Sequence, residues 1–248
     1  MTKTIIFLGP SLAANEVSVP GAEVRPPAAV GDILALALAK RPPARIALID
    51  GYFERMAAVW HKEILLALER GIAVYGAASM GALRAAELAR FGMIGVGAIY
   101  KAFARGELTR DDEVAVAHLP ATQGYRAVST ALVDLRYGLE LAARAQVITA
   151  RTRTRLIELA STRFYRDRTW SQLLADARAA KLPTSTLEAW LASAPVPSRK
   201  AADARQLLAV LARPPTRPRR TRSGPAVPRT WALRQLIAST PPGRATAK

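Results

Sequence analysis

The amino-acid sequence predicts an α/β protein with a Rossmann-like, open and mostly parallel sheet, helices on both faces of that sheet, and a helical C-terminal region. Continuous apolar runs at Thr4–Leu8, Arg45–Ile49 and Ile72–Tyr75 are typical of strands that are buried on both faces. Each run ends at a turn that contains glycine, and helical patterns separate the later runs. Strands that alternate with helices predict right-handed crossovers and therefore a parallel sheet.

The other elements follow from local signals in chain order. Asp32 is expected to cap the first helix, and Trp60, Ile64 and Leu68 share one face of the second. The predicted elements are a weak strand at 22–24, helices over about 32–40, 56–69, 80–90 and 99–104, and a short final strand at 114–116. Residues 130–175 and 185–192 show helical patterns, and 231–238 predicts a short terminal helix.

Three segments differ in composition. Residues 213–229 hold five prolines and six arginines, a composition that favours extended or disordered chain. We therefore predict an α/β core domain at residues 1–136, a helical region at 137–212, and an Arg/Pro-rich basic tail at 213–248 that is largely disordered. The tail is suited to phosphates, an anionic partner or a membrane surface, and it also has the composition expected from a biased genome.

The formal net charge of +17 is concentrated in the C-terminal part of the chain. The first 150 residues carry 16 basic and 14 acidic side chains, whereas the remainder carries 20 and 5. This split argues against a protein that coats nucleic acid, whose positive field should cover its folded surface. The chain has no cysteine, which excludes disulfides, thiolate metal sites and a cysteine nucleophile. No apolar run approaches the length of a membrane span, and a cytoplasmic protein is expected.

The loops at the carboxyl ends of the predicted strands are the first candidate site, because such loops gather at one edge of a parallel sheet. They are Gly9-Pro10-Ser11, Asp50-Gly51 and Ala77–Gly81. The third resembles the nucleophile elbow G-x-S-x-G, with Ala77 in place of the first glycine. Ser79 is then a nucleophile beside the amide of Met80, which could hold an oxyanion; alternatively, Ser79 only caps a helix.

Residues on the predicted helices add further candidates. His61 is either a general base or a structural histidine beside an apolar stripe. Arg84 and Glu87, spaced by three, form either a surface ion pair or a site at which Arg84 holds a carboxylate. Asp112 and His118 belong to either a substrate-amine or hard-metal site or a solvated loop, and no spacing is diagnostic of a metal. The chain contains no Walker A sequence, and no ATP site is expected.

The segment from Phe7 to about Arg136 resembles the TfuA family. The stretches that carry this resemblance are FLGPSL, RPPAAVGDI, IDGYFERMAAVWHKEIL, GIAVYGAASMGALRAAEL, FGMIGVGAIY, DDEVAVAH and STALVDLR. The resemblance implies a partner of a YcaO enzyme, which uses ATP to activate backbone amides for conversion into thioamides. It implies in addition a ThiS-like sulfur carrier with a thiocarboxylate at its C-terminus, and a ribosomally made precursor peptide.

The family therefore implies that this chain hydrolyses the carrier thiocarboxylate and releases sulfide, while ATP binds to the YcaO partner and this chain needs no cofactor of its own. In that reading Ser79 attacks the carbonyl or orients water, His61 takes the proton and Asp50 orients His61. The amides of Met80 and Gly9, with Gly51 beside them, hold the oxyanion, and Arg84 holds the carrier's end. The alternative is a non-catalytic activator that docks on the YcaO and presents substrate or sulfur donor.

Overall fold

The computed structural model describes residues 3–53, 56–213 and 226–242 and confirms the predicted α/β architecture. Five strands form one parallel sheet in the order β2-β1-β3-β4-β5. They are β1 (Thr4–Phe7), β2 (Ala22–Arg25), β3 (Arg45–Leu48), β4 (Ala73–Gly76) and β5 (Ile94–Gly95). Strands β1 and β3 are buried along their whole length, as expected for central strands covered on both faces.

The described chain divides into two compact units, one with residues up to 109 and from 203 onwards, the other with residues 110–202. The first unit contains the sheet and helices around it: α1 (Asp32–Leu38), α2 (His61–Glu69), α3 (Met80–Leu88) and α4 (Ala98–Ala104). The apolar stripes of these helices bury against the strands in one core with Phe7, Ile46 and Leu48.

The terminal helix α10 (Trp231–Ser239) also belongs to the first unit and confirms the helix predicted there. Thr230 caps it by accepting a hydrogen bond from the amide of Leu233. Leu236 and Ile237 pack against the core of the α/β unit. Residues 214–225 and 243–248 of the predicted tail lie outside the described residues, and the predicted domain limits at 136 and 212 stay predictions.

The second unit is helical, as the helical patterns at residues 130–175 and 185–192 predict. It contains α5 (Leu132–Arg144), α6 (Ala150–Thr162), α7 (Trp170–Ala179) and α8 (Ser185–Ser193), and α9 (Arg199–Ala212) begins in it. Its core is formed by leucines from four helices, among them Leu132, Leu135, Leu139, Leu156, Leu173 and Leu187. The continuous helical pattern predicted over 130–175 is interrupted twice, after Arg144 and after Thr162.

Three local predictions were wrong. Residues 114–116 form no strand and follow a short 3-10 helix at Asp111–Glu113. The fifth strand is instead the two-residue β5, which lies in the glycine-rich run after α3. Helix α2 begins at His61 rather than near Met56, and Gly31, not Asp32, is the N-cap of α1. Asp32 accepts the amide of Ala29 from within the first turn.

Candidate active site

The strand order indicates that the candidate site lies at the carboxyl ends of the strands. The chain reverses its direction of strand addition between β1 and β3, and open α/β sheets bind ligands at the carboxyl ends of strands at such a reversal. The loop Leu8–Ser11 follows β1 at this point, and Asp50-Gly51 follows β3. The sequence-predicted residues Gly9, Asp50 and Gly51 therefore lie at one edge.

Asp50 ties the two loops together. Its buried carboxylate accepts hydrogen bonds from the amides of Gly9 at 2.9 Å and Ser11 at 3.1 Å, and from the Ser11 hydroxyl at 2.6 Å. Both oxygens of Asp50 are thus used to hold the β1 loop. The Gly9 amide that we expected to hold an oxyanion donates to Asp50 instead, and the expected contact between Asp50 and His61 is replaced by these bonds. Asp50 shapes the edge of the sheet.

Ser79 stands on a strained turn between β4 and α3. Ala78 before it has a φ of 64°, in the left-handed region that non-glycine residues rarely adopt, and Ser79 itself is the N-cap of α3. The amide of Ser79 donates to the carbonyl oxygen of Ala77 at 2.8 Å, so the chain turns within three residues. The turn has the elbow character that the sequence indicates, although the left-handed residue precedes the serine.

Glycines let α3 start directly on the sheet. A Cβ atom at Gly81 would overlap the carbonyl oxygen of Leu48, and one at Gly76 would overlap the carbonyl oxygen of Gly81. The Gly81 amide also donates to Ile49 at 3.3 Å. The N-terminus of α3 is therefore pressed against the ends of β3 and β4, which fixes the position of the Ser79 turn.

Gly51 and Met80 meet at the same edge. A Cβ atom at Gly51 would lie 2.9 Å from Cγ of Met80 and 3.2 Å from the carbonyl oxygen of Ala28. Met80 is the first residue of α3, and amides in the first turn of a helix have no acceptor within that helix. The structure thus brings together Ser79, Met80 and Gly51 beside the loop that Asp50 holds.

His61 belongs to a different cluster. Its Nε2 atom lies 2.8 Å from Oε2 of Glu87, and Arg84 Nη1 donates to the same oxygen at 2.8 Å. Glu87 lies eight residues after Ser79 on α3, a rise of about 12 Å at about 1.5 Å per residue. The structure therefore assembles His61, Arg84 and Glu87 but does not pair His61 with Ser79.

Glu87 is the shared acceptor of this cluster. Burial acts to raise the pKa of its carboxyl, but the hydrogen bonds from His61 and Arg84 outweigh burial and hold that pKa below its usual value. Arg84 Nε also donates to the carbonyl oxygen of Val59 at 3.2 Å. The ion pair that the spacing of Arg84 and Glu87 predicts is present, and it orients His61 at the start of α2.

An open cleft of about 450 Å³ adjoins this cluster. Its walls come from the segment before α2, the first turn of α2, α3 and the start of α10. The lining residues are Ala57, Ala58, Val59, Trp60, His61, Lys62, Arg84, Thr230 and Ala232. Sequence reasoning assigned no part of the C-terminal region to a site, because nothing in the sequence shows that Thr230 reaches α2.

Glu63 is a buried carboxylate that sequence reasoning passed over. It is 0% exposed and accepts the amides of Gly31 at 2.8 Å, Leu34 at 3.2 Å and Trp60 at 3.0 Å. It therefore joins the N-termini of α1 and α2. Burial raises its pKa to about 7, against the opposing effect of these three bonds. The spacing from Trp60 to Glu63 is that of a capping box, a signal that was available in the sequence.

In the second unit the predicted site residues Asp112 and His118 form ion pairs and hydrogen bonds within the protein. The carboxylate of Asp112 pairs with Arg110 and with Arg168, each at 2.8 Å. Burial acts to raise the pKa of Asp112, but the two guanidinium groups hold it below its usual value. His118 Nδ1 bonds to the carbonyl oxygen of Leu119 at 2.9 Å. Within the described residues no group of three or more His, Cys, Asp or Glu side chains is arranged to hold a metal ion.

Arg168 is the main polar anchor of this unit. The buried guanidinium donates to the Asp112 carboxylate at 2.8 Å and to the carbonyl oxygens of Asp112, Ala160 and Arg163 at 3.0 to 3.2 Å. A buried charge with so many partners serves packing, because each donor is satisfied inside the protein. The acidic segment at 111–113 is thus a docked element of the helical unit.

Most of the candidate site residues lie within a segment that matches a known family. Residues 50–169, just under half of the chain, match the family model described as TfuA-like protein. Through this segment the chain is similar to the TfuA-like family, which confirms the resemblance that the sequence motifs indicate. The match covers Asp50, His61, Ser79, Arg84, Glu87, Asp112 and His118. A search of curated proteins found no match.

The match to the TfuA-like family indicates a role in the YcaO-associated thioamidation system, with a YcaO protein as partner. The match begins at Asp50, just after β3, and continues into the helical unit as far as Thr169, so both compact units contribute to the family segment. Every helix within the residues that the structure describes is too short or too polar to traverse a lipid bilayer.

Proposed function

We propose that this TfuA-like chain hydrolyses a thiocarboxylated, ThiS-like carrier protein and supplies sulfide to a YcaO enzyme that forms a thioamide in a ribosomally made peptide. The observation that carries this proposal is the Ser79 turn: a serine after a left-handed residue, at the start of a helix and at the carboxyl edge of a parallel sheet. A serine on such a turn is suited to acyl transfer. A thiocarboxylate is an acyl group bound to sulfur, and in acyl transfer the sulfur leaves as hydrosulfide.

The chemistry balances without a cofactor on this chain. The Ser79 oxygen forms a bond to the thiocarboxylate carbon, the carbon–sulfur bond breaks, and the hydroxyl proton leaves on the sulfur as hydrosulfide. Water then hydrolyses the ester, restoring Ser79 and giving the carrier carboxylate and a proton. Alternatively, Ser79 orients the water that attacks directly. ATP is expected on the YcaO partner.

Two neighbouring groups support this step. The amide of Met80, at the positive end of α3, is the donor we assign to the developing oxyanion. A Cβ atom at Gly51 would lie 2.9 Å from Cγ of Met80, so the lack of a side chain at Gly51 leaves room there for the acyl carbon. His61 is not the acceptor of the Ser79 proton in this proposal. Its imidazole bonds to Glu87, which lies about 12 Å from Ser79 along α3.

The decisive experiment mixes purified protein with thiocarboxylated carrier, without YcaO, and follows sulfide release together with carrier mass. We expect sulfide and carboxylate carrier in equal amounts, and at least about a hundredfold slower release with Ser79→Ala. Ser193→Ala, at an exposed serine of the helical unit, is the matched control and should react at the wild-type rate. Sulfide release at the level of the blank would refute the proposed activity, and an unimpaired Ser79→Ala protein would refute the assignment of Ser79.

The separation of His61 from Ser79 favours a second candidate function, a non-catalytic activator that docks on the YcaO and presents the substrate or sulfur donor. The same assay distinguishes the two. An activator would release no sulfide by itself but would raise the rate of thioamide formation when free sulfide, ATP, YcaO and precursor peptide are supplied. The hydrolase would add nothing to that rate once sulfide is in excess.

A further inference from the structure

The cleft between α2 and α10 has a chemical character that the proposed hydrolysis does not explain. Its walls bring the cationic side chains of Lys62 and Arg84 and the imidazole of His61 to one opening. A volume of about 450 Å³ lies in the range of about 300–1,000 Å³ that is usual for ligand sites. The cleft is built by segments far apart in sequence, since Lys62 Nζ donates to the Thr230 hydroxyl at 2.7 Å.

The positive charge in this cleft is only partly neutralised. Arg84 and His61 share the single carboxylate of Glu87. Among the described residues, no carboxylate forms an ion pair with Lys62, whose bonded partner Thr230 is uncharged. The cleft therefore favours an occupant with negative charge, which Lys62 can bind without displacing an internal acid.

Two exposed tryptophans belong to the segments that form this cleft. Trp60 lines the cleft and is 39% exposed, and Trp231, between the lining residues Thr230 and Ala232, is 70% exposed. Exposed indole rings are costly in water, and tryptophan and arginine are enriched among the residues that dominate protein–protein binding. The combination of aromatic rings and unneutralised cations is that of a surface for an acidic polypeptide segment.

We propose that this cleft binds the acidic, extended segment that precedes the reactive C-terminus of the thiocarboxylated partner protein, an inference that rests on the proposed function. Arg84 lies five residues after Ser79 on α3, a rise of about 7.5 Å. An extended chain covers that distance in two to three residues at about 3.3 Å each. When the acyl end is at Ser79, the residues just before it reach Arg84 and then Lys62.

The test measures binding separately from hydrolysis. The probe is the labelled carrier in its carboxylate form, which cannot release sulfide, titrated with the full chain and followed by fluorescence anisotropy at low salt. We expect Lys62→Glu to weaken binding about tenfold or more and Trp231→Ala to weaken it severalfold. Lys62→Glu should fold, because an acidic residue in the first turn of a helix is favourable.

Lys101→Glu is the matched control, because it reverses the same charge at an exposed position of α4 that does not line the cleft. It should change the dissociation constant less than twofold. Removing the last six residues of the carrier, or neutralising the acidic residues within them, should weaken wild-type binding and abolish the effect of Lys62→Glu. Equal effects of Lys62→Glu and Lys101→Glu, or undiminished binding of the shortened carrier, would overturn the proposal.

Two further outcomes keep this inference distinct from the hydrolysis and from other partners. Carrier binding that depends on Lys62 without any sulfide release would leave the docking cleft standing and refute the hydrolase. Sulfide release by Lys62→Glu with an unchanged KM would support the hydrolase and refute the docking cleft. A single-stranded oligonucleotide that binds more tightly than the carrier, with the same sensitivity to Lys62→Glu, would overturn the assignment to a polypeptide.

Discussion

At the scale of single residues, three carboxylates of this protein differ in the groups that donate hydrogen bonds to them. Asp50 accepts from two amides and a hydroxyl and holds a loop at the candidate site. Glu87 accepts from His61 and Arg84 and remains accessible to solvent. Glu63 accepts three amides at the junction of α1 and α2 but is fully buried, so its charge loses most of its hydration.

Glu63 should make stability depend on pH near neutrality. Its pKa is about 7 in the folded protein against 4.5 for a free carboxyl, so the fold binds this proton more tightly than the unfolded chain does. The contribution is complete below about pH 4.5 and is lost as the pH rises through 7, on the order of 3 kcal/mol in the free energy of unfolding. Urea unfolding at pH 5 to 8 measures it.

Glu63→Gln removes the titration and should flatten that profile. The variant loses the bond to the Trp60 amide, so it should be less stable than the wild type at pH 5 and closer to it at pH 8. Glu69→Gln, on the same helix but partly exposed, should keep the wild-type slope. A Glu63→Gln profile as steep as that of the wild type would assign the pH dependence to other groups.

Sequence analysis could identify the residues whose role is indicated by neighbours close in the sequence. Ser79 is found from the small residues around it, and the pair of Arg84 and Glu87 from their spacing. The bond between His61 and Glu87 was not predictable, because it joins residues 26 apart whose relative position depends on the packing of α2 and α3. The burial of Arg168 was unpredictable for the same reason.

At the scale of elements, the position of Ser79 depends on how closely α3 approaches the sheet. Gly81 is the second residue of α3, where a side chain would collide with the carbonyl oxygen of Leu48. The obstacle is backbone of a central strand, which cannot move without breaking the sheet. The glycine is therefore required for the helix to start where it does, and the Ser79 turn is set by this contact.

Gly81→Ala should accordingly destabilise the α/β unit by about 2 kcal/mol or more and slow sulfide release. Gly21→Ala is a suitable comparison: this glycine has a φ of 69° but nothing within 4 Å of a new Cβ atom. It should cost only about 1 kcal/mol, from backbone strain alone. Equilibrium unfolding of both variants tests the difference. A Gly81→Ala protein as stable as Gly21→Ala would mean that α3 can shift freely.

Long elements with a clear hydrophobic period were predictable, and the shortest were not. Strands β1, β3 and β4 are continuous apolar runs, and their helices carry apolar stripes. Strand β5 has two residues within a glycine-rich run, and its place follows from pairing with Tyr75 and Gly76 rather than from its own sequence. Val114 and Ala115 are buried without forming a strand, so an apolar run of this length was not enough to predict one.

At the scale of the whole molecule, the uneven charge does not separate a site domain from a functionless appendage. The C-terminal 98 residues carry 20 basic and 5 acidic side chains, yet one described part of them returns to the α/β unit. Helix α10 packs Leu236 and Ile237 on the core, and Thr230 at its start bonds Lys62 in the cleft. Sequence analysis could predict the helix but not its partner, since the contact joins positions 168 apart.

The attachment of α10 should therefore be separable from the stability of the sheet. Leu233 is 0% exposed, and Leu233→Ala should weaken the packing of α10 by about 3 kcal/mol. Hydrogen exchange of amides in residues 231–239 should then accelerate about a hundredfold, whereas amides of β1 and β3 should keep their wild-type rates. Leu156→Ala, an equally buried leucine of the helical unit, should leave exchange in α10 unchanged. Faster exchange in α10 and the sheet alike would show that they unfold together. The cleft would then open only when the core unfolds.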